Sequence, residues 1–99
     1  MKPRRWPASG DDELLVQRAH HHSSDHRAEV LAGSRCGCFY CFAVYQPSDI
    51  DWWIDEDANG VGQTAMCPKC GIDSVLGDKS GFPLTKEFLD KMHDHWFAS

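Results

Sequence analysis

Two cysteine pairs, Cys38-Phe39-Tyr40-Cys41 and Cys67-Pro68-Lys69-Cys70-Gly71, restrict this chain more than any other feature. In each pair two residues separate the thiols, so one tight turn aims both sulfurs at a single point. Four thiolates suit a tetrahedral zinc with closed coordination, and the interval between the pairs leaves room for a small excursion of structure. Pro68 fixes φ before the second turn, and Gly71 is permissive after it. The spacing therefore predicts one structural zinc held by Cys38, Cys41, Cys67 and Cys70. Four unrelated thiols, or two disulfides in a secreted protein, fit this arrangement less well. Cys36 is left over. It competes with Cys38 for the first pair, but its step to Cys41 is the looser one.

A chain of 99 residues makes one domain, near the size at which a core needs reinforcement. Metal binding supplies that reinforcement, because its free energy is delivered as folding free energy. Ten basic and fifteen acidic residues give a net charge of −5, which a four-thiolate zinc would lower by about two more. This balance opposes binding to nucleic acid or to an anionic membrane surface. No apolar run approaches membrane-spanning length, and no signal-peptide core follows the basic start. Knuckle spacing with an odd fifth cysteine points to the reducing cytoplasm.

The chain divides into a mobile basic tail over residues 1–10 and a single domain over residues 11–99. The tail carries Lys2, Arg4, Arg5 and Trp6 and could touch phosphates or stack on a base. From Asp11 to Gly33 the pattern is helical: Asp11, Asp12 and Glu13 complement the positive end, and Gly33 terminates. Leu15, Ala19, His22, His26 and Val30 share a face, with Ser23 or Ser24 placed to cap a second helix after a bend. Phe42 to Tyr45 suits a short strand. The segment from Ser48 to Ile54 is ambiguous. A Ser48-capped helix would turn Ile50, Trp53 and Ile54 inward, whereas a strand would alternate Ile50, Trp52 and Ile54. In a strand Trp52 and Trp53 cannot both be buried, so at least one tryptophan is expected at the surface. Asp55 to Gly62 reads as a solvated acidic loop without the ligand pattern of a calcium site. Ile72 to Asp78 reads as strand and turn. Thr85 should cap a last helix in which Phe88, Leu89, Met92 and Trp96 form the core stripe, with Leu84 stapled onto its first turn.

Histidines stand where an amphipathic helix would carry leucine. His20, His21 and His22 form a short run, and His22 and His26 lie one turn apart. Buried imidazoles need partners. They are either core residues bonded to backbone carbonyls or part of a ligand-binding notch with Asp73 and His93. Asp73 would either accept from knuckle amides or orient a histidine.

Taken together, four stretches resemble a family of short, uncharacterised bacterial and phage-borne cytoplasmic proteins. They are His22-Ser23-Ser24-Asp25-His26-Arg27, Cys36-Gly37-Cys38-Phe39-Tyr40-Cys41, Cys67-Pro68-Lys69-Cys70-Gly71-Ile72-Asp73-Ser74-Val75 and Gly81-Phe82-Pro83-Leu84-Thr85-Lys86-Glu87-Phe88-Leu89. The resemblance spans about residues 20 to 97 and implies a compact zinc-ribbon-like unit. The expected fold is α+β: a small zinc-ribbon-like core with short antiparallel strands, flanked by an N-terminal and a C-terminal helix.

The expected function is a zinc-stabilised module that meets a protein partner through surface tryptophans and the acidic loop. The phage association makes an inhibitor of a host system one form of it. The alternative is a small-molecule or nucleotide binder, or a hydrolase, using His22 and His26; a nucleic-acid-binding ribbon ranks last. No nucleophile elbow, phosphate loop or HExxH pattern supports an enzyme.

Overall fold

The computed structural model describes residues 10–97. The tail expected over residues 1–10 lies outside them except for Gly10, which opens the first helix. The side chains of Asp11 and Asp12, expected to face the positive helix end, also lie outside the description. Helices α1 (Gly10–His21) and α2 (Arg27–Ala32) are followed by strands β1 (Cys36–Cys38), β2 (Val44–Tyr45), β3 (Trp53–Glu56), β4 (Gly62–Ala65) and β5 (Val75–Gly77), then helix α3 (Lys86–Trp96). Single 3-10 turns stand at Pro47–Asp49 and Asp78–Ser80. The described residues thus form an α+β unit in which every strand pair is antiparallel.

Strand β1 is the middle of a three-stranded sheet ordered β2-β1-β5, while β3 and β4 form a separate hairpin. Side chains alternate along a strand, which gives β1 two different faces. Cys36 and Cys38 point to one of them, among Val30, Tyr45, Ile50, Ala65, Cys67 and Val75. Gly37 points to the other, where a Cβ would stand 3.2 Å from Leu89 Cδ1. Leu76 of β5 shares that second face with Val16, Ala19, Phe39, Leu84, Phe88, Leu89 and Met92. The cysteines therefore occupy one side of the sheet, and α3 closes the opposite side.

Helix α3 follows its sequence pattern as far as Met92, whereas Trp96, expected in the core stripe, is 37% exposed. Thr85 accepts a hydrogen bond from the Phe88 amide at 3.2 Å, and Leu84 packs in the same cluster as Leu89 of the first turn. Phe88, Leu89 and Met92 are buried, and the Trp96 indole donates to the Val16 carbonyl of α1 at 3.3 Å. Replacing Thr85 by alanine leaves the Phe88 amide without its cap. It should cost about 1 kcal/mol in urea unfolding, with the metal content unchanged.

The strand expected over Phe42 to Tyr45 is cut to β2, because Phe42 is left-handed at φ 68°, and the one expected from Ile72 starts only at Val75. Two further segments depart from expectation. The buried face of the first helical region starts at Val16 and continues through Ala19, Ser23, His26 and Val30, whereas Leu15 is 40% exposed. At the bend the Ser23 hydroxyl donates to the His20 carbonyl and Asp25 takes φ 48°, and neither serine caps α2, whose N-cap position is His26. The Ser48-capped helix does not form. Only one 3-10 turn appears, with the Gln46 amide bonded to Asp49. The chain then extends into β3, because pairing Trp53 with Ala65 and Ile54 with Thr64 satisfies backbone groups that a one-turn helix would leave free. Trp52 is 56% exposed, in keeping with a surface tryptophan. The acidic stretch ends in a turn closed by Asp57, which accepts from the Asn59 and Val61 amides.

Candidate metal centre

The two cysteine pairs are built on one local plan. In the first, the Phe42 amide donates to the Cys38 carbonyl at 2.9 Å; in the second, the Gly71 amide donates to the Cys67 carbonyl at 2.9 Å. The Cys38 amide returns to the Ala43 carbonyl, as the Cys67 amide does to that of Ile72. In each turn the amide two residues beyond the first cysteine donates to that cysteine's sulfur: Tyr40 to Cys38 at 3.3 Å, and Lys69 to Cys67 at 3.4 Å. The residue after each second cysteine is left-handed, Phe42 at φ 68° and Gly71 at φ 77°.

Pairing of β1 with β5 then brings the turns together, setting Cys38 opposite Val75. The four sulfurs lie within 4.8 Å of one another, with Cys38 to Cys70 and Cys41 to Cys67 each 3.7 Å apart. Tetrahedral coordination with metal–sulfur bonds of about 2.3 Å would place sulfurs about 3.8 Å apart, so the cluster already has nearly the size of the coordination shell. These four cysteines can hold a metal ion.

Sequence reasoning missed the hydroxyls around the cluster. Both pairs continue as C-x2-C-x3 followed by a hydroxyl residue, Tyr45 in the first and Ser74 in the second. Each hydroxyl crosses to the opposite pair. The Ser74 hydroxyl lies 3.0 Å from the Cys38 sulfur. The Tyr45 hydroxyl acts on Cys67, yet it remains a buried polar atom without a formed hydrogen bond. A thiolate held by a metal would give this hydroxyl an acceptor, so the orphaned atom fits an ionised cluster. The repeated four-residue step from second cysteine to hydroxyl was visible in the sequence, but nothing local showed that it reaches across.

Electrostatics agree with a cation here. Burial pushes the Cys38 and Cys70 thiols up, because a charged sulfur loses hydration. Burial also opposes charge on Cys67, but the Tyr45 hydroxyl and the Cys70 and Lys69 amides outweigh it and bring that thiol down to about 7. A divalent cation offsets the cost that the other sulfurs pay. Cys36 differs: it is buried outside the four-sulfur cluster and pushed up to about 12, first by burial and then by Asp78 and Asp49.

The four other candidate residues occupy different surroundings. His26 is 4% exposed, and both of its ring nitrogens are used. Nε2 accepts from the Ala65 amide at 3.0 Å, which fixes the proton on Nδ1, where it donates to the His22 carbonyl. The ring also stands edge-on to Trp53. His22 pairs through Nδ1 with Glu29 at 2.9 Å and packs beside Phe82. His93 sits among the rings of Tyr40, Phe42 and Phe97. Asp73 is exposed, and its charge acts on His20. No hydrogen bond or ring contact among the described residues joins His22 or His26 to Asp73 or His93. Within the described residues no helix is long and apolar enough to cross a membrane. Comparison with family models, with curated proteins and with solved structures found no match.

Proposed function

We propose that the metal is zinc, that the two turns form a zinc ribbon, and that the chain is a non-enzymatic interaction module of a reducing compartment such as the cytoplasm. Four thiolates fill a tetrahedral zinc and leave it no position for water or substrate, so the metal serves the fold. His22, His26 and His93 support the same reading, since each is engaged within the chain.

The observation that carries the contact site is the uneven edging of the β3–β4 hairpin. The outer edge of β4 is covered by the start of α2: the His26 amide donates to the Gln63 carbonyl, the Arg27 guanidinium to the Gly62 carbonyl, and the Ala65 amide to His26. β3 pairs with β4 through Trp53–Ala65, Ile54–Thr64 and Glu56–Gly62, and Asp55 within it is left-handed at φ 59°. Among the described residues β3 has no second neighbour, which leaves its other edge unpaired there. That edge is bordered by exposed Trp52 and by Asp51, Asp55 and Glu56. An unpaired edge with an acidic rim suits an extended, basic segment of a partner protein, which would add a strand by backbone bonding.

The test is a titration of isotope-labelled, zinc-loaded protein with an extended peptide alternating lysine and valine, beside its glutamate counterpart. Amide shifts should centre on Trp53 to Glu56, weaken with salt and be absent with the acidic peptide. Trp52→Ala should weaken binding about tenfold or more, as loss of an exposed aromatic anchor does. Equal response to both peptides, no response, or shifts centred elsewhere would refute the assignment.

A further inference from the structure

The acidic border of the β3 edge has its counterpart in this chain's own sequence. Residues 1–9, which lie outside the described residues, carry Lys2, Arg4 and Arg5 and no acidic residue. Against them the edge sets Asp51, Asp55 and Glu56, beside the exposed ring of Trp52. Opposite charge of this kind steers a segment to a surface and fixes its register. Trp52 adds a face on which a guanidinium or the Trp6 indole can stack.

The positions of the prolines fit an added strand. Along a strand the amide and carbonyl of one residue face one neighbour, and those of the next residue face the other. Pro3 and Pro7 lie four residues apart and share one side, while the amides of Lys2, Arg4 and Trp6 all belong to the opposite side. One edge of such a strand can therefore pair without interruption. The other lacks two donors, which is how proline is tolerated on an outer edge, and that gap halts further strand addition.

Chain length decides which copy receives the segment. Helix α1 has 12 residues and is therefore about 18 Å long. It packs with α3 on the side of the sheet away from Cys36 and Cys38, whereas Trp53 of the hairpin packs on the cysteine side. It is α2, beyond the far end of α1, that covers β4. The four steps from Trp6 to Gly10 reach at most about 14 Å. That is too short to lay residues 2–6 on the hairpin of the same chain. Resting on the edge reading above, we propose that the partner strand is residues 2–6 of a second copy of this chain. Each copy offers one such segment and one such edge, so two copies satisfy both and the pair closes.

The experiment is sedimentation equilibrium of zinc-loaded full-length protein over a range of protein and salt concentrations. The parent should form a dimer that weakens as salt rises. Arg4→Glu with Arg5→Glu should raise the dimer dissociation constant about tenfold or more, and Asp51→Lys with Glu56→Lys should do the same, since each pair sets like charges face to face. A variant carrying all four changes should associate again, a rescue that loss of fold cannot produce. In isotope-labelled protein the amides of Trp53 to Glu56 should shift over the same concentrations. A parent that stays monomeric, a dimer indifferent to either pair of changes, or no recovery with all four would overturn the proposal. So would tail changes that shift these amides equally at every concentration, which reports docking within one chain. If the lysine–valine peptide shifts Trp53 to Glu56 in a protein that never pairs with itself, the edge reading stands and self-recognition alone fails.

Discussion

Stripping the metal from this chain is expected to unfold it. A structural zinc in a small domain contributes apparent binding free energy of about 10–16 kcal/mol. The whole stability of a domain is only about 5–15 kcal/mol. The ligands also join parts of the chain that little else holds together. The two turns lie about thirty residues apart in sequence, and the strands carrying them are two to four residues long. Chelator should therefore abolish the near-ultraviolet circular dichroism of the aromatic core, and zinc should restore it. Single substitutions sharpen the expectation. Cys38→Ser should lose the metal, because it removes a ligand and breaks the contact with Ser74. Cys36→Ser should keep it. Cys36 lies outside the four-sulfur cluster, and a thiol pushed up to about 12 stays protonated at neutral pH. Folded protein without metal, or loss of zinc from Cys36→Ser but not from Cys38→Ser, would contradict this assignment.

The second large effect belongs to His26. Replacing it by alanine strands the buried Ala65 amide and the His22 carbonyl and leaves a space beside Trp53. Each unsatisfied buried group costs about 1–3 kcal/mol, so the total should reach about 2–6 kcal/mol in denaturant unfolding. The same geometry sets a pH dependence. Burial, only partly opposed by the His22 carbonyl, lowers the folded-state pKa of His26 below its ordinary 6.5. The unfolded chain then binds the proton more readily than the folded one. The contribution of His26 is therefore complete above about pH 6.5 and is lost as pH falls from there toward the folded value. His26→Ala should flatten that part of the stability profile. A profile of the same slope in variant and parent would assign the acid sensitivity to other groups.

The lesson about His26 is general for the helical region. A helical wheel places His22 and His26 on one face and gives no means of telling a ligand from a core residue. What separates them is the Ala65 amide, thirty-nine residues away, which meets His26 Nε2. The expected notch with Asp73 and His93 required those residues on the same side of the fold as His22 and His26. Instead, His93 is carried by α3 into the rings of Tyr40, Phe42 and Phe97.

What the amino-acid order determined is local. The C-x2-C turns, the Thr85 cap, the stripe of α3 and the break at Ser23 and Ser24 each depend on residues within a turn or two of one another. Their steric and hydrogen-bonding requirements are satisfied inside the same segment, so reading the segment suffices. The tertiary structure decided what depends on partners distant in sequence. It made β3 a strand because β4 offered paired backbone groups. It also sent the Tyr45 and Ser74 hydroxyls across to the opposite cysteine pairs and, among the described residues, paired β3 on one side alone. In each case competing local conformations are close in free energy, and the choice rests with a hydrogen bond or a contact that exists only once the chain has folded.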